Sequence, residues 1–204
     1  WFELERAAAR YFGIHTFAAH VNGLVRRDDK PAMWVARRSR TKSIDPDRLD
    51  NLVAGGIAAG LSVASTVVKE AWEEAGIDAS VAALAQPAGT VRICREQPDG
   101  LQRETMFVHD LWLAADFTPA GQDGEVAGHR LVPLADVGAL IASDDGPDVV
   151  TADAALVMRA IRAELVVPLV VYLASRACDF THRNYSACAG RYARAFIGLG
   201  HGWL

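Results

Sequence analysis

Glu70, Glu73 and Glu74 stand at i, i+3 and i+4 within GGIAAGLSVASTVVKEAWEEAGI, residues 55 to 77. On a helix that spacing gathers three carboxylates into one patch, roughly a third of a turn from the apolar stripe formed by Ala64, Val67, Val68, Ala71 and Ala75. Like charges so placed destabilise a helix by about 0.2 to 0.5 kcal/mol per pair, and their position near its C-terminus opposes the macrodipole. Two arrangements answer that cost. One is a solvated acidic face. The other is a hard divalent cation such as Mg²⁺, which takes oxygen ligands and keeps waters that phosphate oxygens can replace. The glutamates alone do not choose between them.

The elements that must hold these residues can be read around them. Ser62 is an N-cap residue for a helix running to about Ala75, and Gly76 is placed to end it in a left-handed conformation. Phe17 to Arg26 and Ala32 to Arg38 read as strands joined by a turn at Asp28-Asp29-Lys30-Pro31, and Leu49 to Ala54 as another short strand ended by Gly55-Gly56. Thr90 to Arg95 and Glu104 to Leu113 flank Gln97-Pro98-Asp99-Gly100 as a long hairpin, and a final strand lies near Val126 to Val132. Residues 3 to 11 are strong helix formers and predict a short leading helix. Strands on both sides of one central helix, with no regular β-α alternation, give an α+β class with a mixed sheet. Domain organisation reads as 1–150 for the main domain and 151–204 for a helical C-terminal extension, with Ala155, Met158, Ile161 and Arg162 at helical spacing.

Bulk properties narrow the partners. A net charge of −4 provides no electrostatic footprint for nucleic acid or an anionic membrane. The longest apolar run, Leu165 to Ala174, contains Pro168 and falls well short of the ~20 residues that cross a bilayer. Three scattered cysteines, Cys94, Cys178 and Cys188, form no disulfide framework, so a reducing cytoplasm is expected. Trp1 stands where an initiator methionine would, so the sequence reads as a piece of a longer protein. A small molecule is the expected partner, and a homodimer is compatible with the sequence. Cys178, His182, Cys188 and His201 are metal-capable, but their intervals fit no zinc pattern.

Gly55, Lys69-Glu70, Glu73-Glu74 and Gly76-Ile77 together resemble the Nudix box: Gly, five residues, Glu, seven residues, Arg-Glu, an aliphatic residue, any residue, Glu-Glu, any residue, Gly and an aliphatic residue. Leu61 stands where that family has its first Glu, and Lys69 where it has Arg, so the ion pair that braces the family's loop against its helix has lost both partners. WVARRSRTKSIDPDRLDNLVAGG (34 to 56), FVHDLWLAADFTPAGQDGEVAGHRLVPLADV (107 to 137) and HVNGLV (20 to 25) resemble the Nudix subfamily fused in fungi to thiamine pyrophosphokinase and free-standing in plants and bacteria. The likeness spans about 20 to 145 and implies a Nudix-type α/β/α sandwich with the catalytic helix at about 62–75.

It also implies a Mg²⁺- or Mn²⁺-dependent hydrolase of organic diphosphates, most directly thiamine diphosphate analogues or oxidised thiamine diphosphate, giving a monophosphate and phosphate. ADP-ribose or a dinucleotide is the alternative substrate, and a catalytically silent Nudix-fold binding domain the alternative role. By the match, Glu73 and Glu74 are the leading metal ligands and Glu70 is a ligand or the base that activates water; Glu125, in a loop beyond the box, is a further candidate ligand. Arg37, Arg38, Arg40 and Lys42 form a basic run suited to a diphosphate, of which alternation on a strand lets only some face the site. Gly55 and Gly56 let backbone approach an ion or a phosphate. Trp34, Trp72, Phe107 and Trp112 are candidates for stacking on a ring, with Arg103 and Glu104 on the hairpin beside them.

Overall fold

A computed structural model describes residues 3–28, 30–161, 184–188 and 191–195. Strand β1 (His15–Arg27) turns through Asp28, at φ 49°, into β2 (Lys30–Arg38). Then follow β3 (Leu49–Asn51), β4 (Val53–Gly56), helix α1 (Val63–Ala75), the short helix α2 (Ala79–Ala82), β5 (Gln86–Gln97) and β6 (Gly100–Trp112). Strand β7 (Val126–Pro133) leads directly into α3 (Leu134–Ala142), and α4 (Ala152–Met158) follows.

The sheet is mixed because β1 pairs in parallel with β6, while every other ladder in it is antiparallel. The other edge of β1 is shared: Ala18 to Val21 pair with β4, and Gly23 to Arg27 pair with β2. Strand β2 then carries β7 on its far side. Since β1 is covered on both faces, it reads as a near-continuous apolar run rather than a clean alternation. Val21 and Val25 pack with Trp34, Leu111, Val67 and Ala71 beneath α1. Leu24 joins Met33, Val35, Leu49, Val137 and Met158 beneath α3 and α4 on the opposite face. The expected α/β/α sandwich is therefore present, with its sheet between two helical layers.

Helix α1 begins and ends as its sequence dictates. The Ser62 hydroxyl accepts from the Ser65 N–H at 3.0 Å and the Ser65 hydroxyl accepts from the Ser62 N–H at 2.9 Å, a reciprocal cap built from two serines. Gly76 closes the helix at φ 65°, where a Cβ would lie 2.9 Å from the Ala120 carbonyl oxygen, so both conformation and space favour glycine.

Four expectations change. Residues 3 to 11 form a single 3₁₀ turn, Arg6–Ala8, rather than a helix. A segment that short is marginal as an isolated helix, and the tertiary contacts of Arg6 with the Phe17 carbonyl and Glu104 fix it instead. The single strand expected at Leu49 to Ala54 breaks at fully buried Leu52 into β3 and β4, which serve different partners, β2 and β1. The stripe of α1 is rotated: Ala64 is exposed and Val68 half-buried, whereas Thr66 and Glu74 are buried. In the extension expected to be helical, α4 is followed by a described hairpin, β8 (Asn184–Cys188) with β9 (Arg191–Ala195); the other residues beyond 161 lie outside the described ones. Packing also crosses the division drawn at 150, because Ala154 and Met158 of α4 share a core with β1, β2 and β3. The metal-capable Cys178, His182 and His201, and the side chain of Cys188, lie outside the described residues.

Candidate active site

The three glutamates of α1 differ in burial, and that gradient organises the site. Glu74 is 7% exposed and its Oε2 accepts a hydrogen bond of 2.7 Å from the Ala54 N–H, tying the helix to β4. Burial pushes its carboxyl well above the ordinary range, and the negative neighbours Asp50 and Glu70 add to this against the opposing Ala54 bond and Lys42. Glu70 lies against Gly55: a Cβ there would stand 2.1 Å from its Cγ, so glycine is what makes room for this carboxylate. Its carboxyl is also raised, chiefly by burial, with Lys69 opposing and the charges of Glu73 and Glu125 contributing.

Lys69 answers the like-charge crowding. Its Nζ lies 2.5 Å from Glu73 Oε2 and 3.2 Å from Glu70 Oε1, and the bond to Glu73 leads in raising the ammonium's pKa. Leu61, at the position of the family's brace, is 45% exposed. The loop is held instead by the Ile57 N–H donating to the Phe17 carbonyl at 2.9 Å, by Glu70 over Gly55 and by the serine cap.

Beyond Glu74 opens a small polar pocket lined by Ala36, Arg38, Lys42, Asp50, Asn51, Glu74, Glu125 and Val126. Its volume is about 10 Å³, room for about one water-sized body. Lys42 is ion-paired with Glu125, which is positioned by its own N–H donating to Asp123 Oδ1 at 2.9 Å and by its carbonyl accepting from the Ser39 N–H at 2.8 Å. Arg38 donates to Asp50 Oδ2 at 2.8 Å and to the Ile44 carbonyl at 2.9 Å. Asp50 is 7% exposed, and burial raises its carboxyl against the pull of His20 and Arg38.

Of the residues singled out in the sequence, the structure thus gathers Glu70, Glu74, Gly55, Arg38, Lys42 and Glu125 about one flank of α1, with Glu73 held there by Lys69. Arg37 is not among them. Alternation on β2 sends it away to the Asp47 carbonyl at 2.8 Å, the Pro147 carbonyl at 2.9 Å and the carboxylate of Asp148. Arg40 is exposed and pairs with Asp47. Gly56 faces the guanidinium of Arg6, where a Cβ would lie 2.6 Å from Cζ. Trp34 is buried in the core beneath α1, Trp72 is exposed, Arg26 lies over the Trp112 ring, and Phe107 faces a separate apolar pocket. Asp50 and Asn51 are the residues the sequence reading missed; a lone Leu-Asp-Asn in a strand carries no spacing signal, and only the β2/β3 register brings Asp50 opposite Ala36.

A hard cation suits the chemistry of these donors, which are carboxylate oxygens. Among the described residues no three carboxylates already converge on one point, because Glu73 is turned to Lys69 and one oxygen of Glu74 is engaged by Ala54. The remaining oxygens of Glu70, Glu74 and Glu125 are those available to an ion.

Comparison with known proteins decides the family: the NUDIX domain family matches residues 16–154. This chain is a Nudix protein. It is 44% identical over 141 residues to Nudix hydrolase 20, chloroplastic, of Arabidopsis thaliana, and 46% identical over 137 residues to Nudix hydrolase 24, chloroplastic, of the same plant. Those alignments cover 69% and 67% of this Nudix chain and 38% of each plant protein. Among solved structures, E. coli dihydroneopterin triphosphate pyrophosphohydrolase shares the fold at a TM-score of 0.52 and 16% identity, over 70% of this chain and 92% of that one. DR0079 from Deinococcus radiodurans does so at 0.51 and 23%, over 72% and 83%. No helix among the described residues is long and apolar enough to cross a membrane.

Proposed function

We propose that this Nudix protein hydrolyses the pyrophosphate bond of a small organic diphosphate, with thiamine diphosphate analogues or oxidised thiamine diphosphate as the substrate class. The observation that carries the reading is the juxtaposition, on one flank of α1, of Glu70, Glu74 and Glu125 with Lys42 and Arg38. Acidic groups suited to a cation stand beside cations suited to phosphate. The thiamine-related substrate is supported by the likeness of residues 34–56 and 107–137 to that subfamily, segments that include β2, β3, β4 and β7 around this flank and β6 on the far side of β1. Cys94 is exposed and forms no disulfide among the described residues, which fits a reducing compartment such as the cytoplasm.

Glu70, Glu73, Glu74 and Glu125 would hold Mg²⁺ or Mn²⁺, Glu73 by leaving Lys69. Such an ion supplies neutralisation of phosphate oxygens and a more acidic bound water. The chain's own residues do the rest. Lys42 places its ammonium against the diphosphate, and Arg38 holds Asp50 and the 44–45 turn behind it. Glu70, fixed over Gly55, takes the proton of the attacking water as that oxygen bonds to phosphorus and the bridging P–O bond breaks. The products are a monophosphate and phosphate.

Purified protein with Mg²⁺ is offered thiamine diphosphate, its oxo and oxy analogues, ADP-ribose and NADH, and release of phosphate and mononucleotide is followed. Turnover of the thiamine compounds, lost by at least a hundredfold in Glu73→Gln, is expected. Preference for ADP-ribose moves the substrate to the alternative class, and no turnover of any compound leaves a silent binding domain.

A further inference from the structure

A second concavity lies between α1, α2 and the β5/β6 hairpin. Its volume is about 600 Å³, within the ~300–1,000 Å³ of small-molecule sites, and among the described residues no charged one lines it. Val67, Val68, Ala83, Thr90, Phe107 and His109 form its walls. It shares no lining residue with the polar pocket of the candidate active site. Of its contacts on α1, Ala64 and Val68 stand roughly 120° or more around the helix from Glu70 and Glu73, while Val63 and Val67 lie between that face and Glu70.

Two features give it direction. Nδ1 of His109 lies 3.2 Å from the Phe107 carbonyl, which can only accept, so Nδ1 carries the proton and the neutral ring presents Nε2 as an acceptor. Burial lowers the pKa of His109 against the opposing backbone bonds to Phe107 and His20 and the charge of Asp110, so the ring is neutral near pH 7. Opposite, β5 shifts register between Pro87 and Gly89, and a Cβ at Gly89 would meet nothing within 4 Å, so the bulge leaves the rim open. The Phe107 ring wall is continued outward by Phe17, at a centroid distance of 6.3 Å and 21° between planes.

We infer that this pocket binds a neutral, flat heteroaromatic group bearing an N–H donor, which lies against Phe107 and donates to Nε2 of His109. The volume and the lack of a charged residue among the described lining select a small neutral ring, and Nε2 of His109, with the Thr90 hydroxyl as the other side-chain acceptor, selects the donor. The site is independent of the carboxylates, so its occupancy does not depend on the hydrolase reading.

The test uses indole and 1-methylindole as probes, titrated into the full chain and followed by amide NMR. Indole is expected to shift Val67, Val68, Ala83, Gly89 and Thr90, and 1-methylindole to bind about two- to tenfold more weakly, the scale of one lost hydrogen bond. Ala83→Trp, a surface position whose indole would fill the space, is expected to abolish binding. His109→Phe is expected to bind both probes equally, and Glu73→Gln to bind indole as the parent does. Equal binding of the two probes by the parent, or no shifts at these residues, overturns the inference. So does an indole-insensitive dependence of the same resonances on protein concentration, which would assign the pocket to a second copy of the chain.

Discussion

Glu74 carries a carboxylate into the interior with one backbone hydrogen bond, from Ala54, to hold it. Burial raises its pKa above the ordinary 4.5, so the native state binds that proton more tightly than the unfolded chain does. Stability of the metal-free protein is therefore greatest below about pH 4.5 as far as this group is concerned. It declines as pH rises through the window up to the raised native value and is flat above it. Asp50, also raised by burial, acts with the same sign from its ordinary 3.8 upward. Glu74→Gln keeps an acceptor for Ala54 and removes the charge. Thermal unfolding of the metal-free variant at pH 7 to 8 is expected a few degrees above the parent, the scale of about 1 kcal/mol in a domain of this size, with the difference gone near pH 4. Activity is expected to fall in the same variant. Gly55→Ala should place a methyl where Glu70 now lies and displace that carboxylate, costing about 1 to 3 kcal/mol in denaturant unfolding and at least tenfold in turnover. That the three glutamates share one side of α1 was legible from their spacing, whereas their candidacy as ligands came from the match to the Nudix box. Arg37 and Arg38 were not separable, since which neighbour faces inward depends on register with β3 and β7.

At the level of elements, α1 shows how a cap and an ion pair substitute for a missing brace. Its ends followed from sequence because Ser62 and Gly76 act locally, through a side-chain cap and a left-handed residue. Its roll did not, because Glu74 finds an N–H on β4, a strand whose separation from β3 at Leu52 leaves no local trace. Lys69 now spends its ammonium on Glu73 and Glu70, both on its own helix. Introducing Leu61→Glu together with Lys69→Arg gives the loop a partner for that cation. We expect a gain of about 0.5 kcal/mol, shrinking with added salt as an exposed pair does, read from melting temperature at low and high ionic strength. An unchanged melting temperature at low salt would show that the serine cap and the Glu70 contact over Gly55 already fix the loop.

For the whole molecule, the two helical layers share one sheet, so damage to one should be felt by the other. Met158 on α4 is 1% exposed and packs with Leu24 and Met33, whose strands also carry residues packed beneath α1. Met158→Ala is expected to cost about 3 kcal/mol in a single cooperative transition, with fluorescence and circular dichroism giving the same midpoint. Two separate transitions would mean that α4 is a unit apart, as the division at 150 implies. The mixed sheet was legible from strands flanking one helix, and the sandwich from the likeness to the Nudix family; the 3₁₀ turn at Arg6–Ala8 was not, because strong helix formers there are overruled by contacts with residues far along the chain.

The parallel ladder between β1 and β6 has a consequence for synthesis. Asn22 on β1 meets Asp110 on β6 across 88 residues of chain, while the β1/β2 hairpin is complete as soon as Arg38 has emerged. During translation the β6-facing edge of β1 therefore stays open until most of the sheet has been made. An unpaired apolar strand edge is a template for joining another nascent chain. Ribosome-bound lengths ending before Trp112 should thus be the ones most in need of a chaperone.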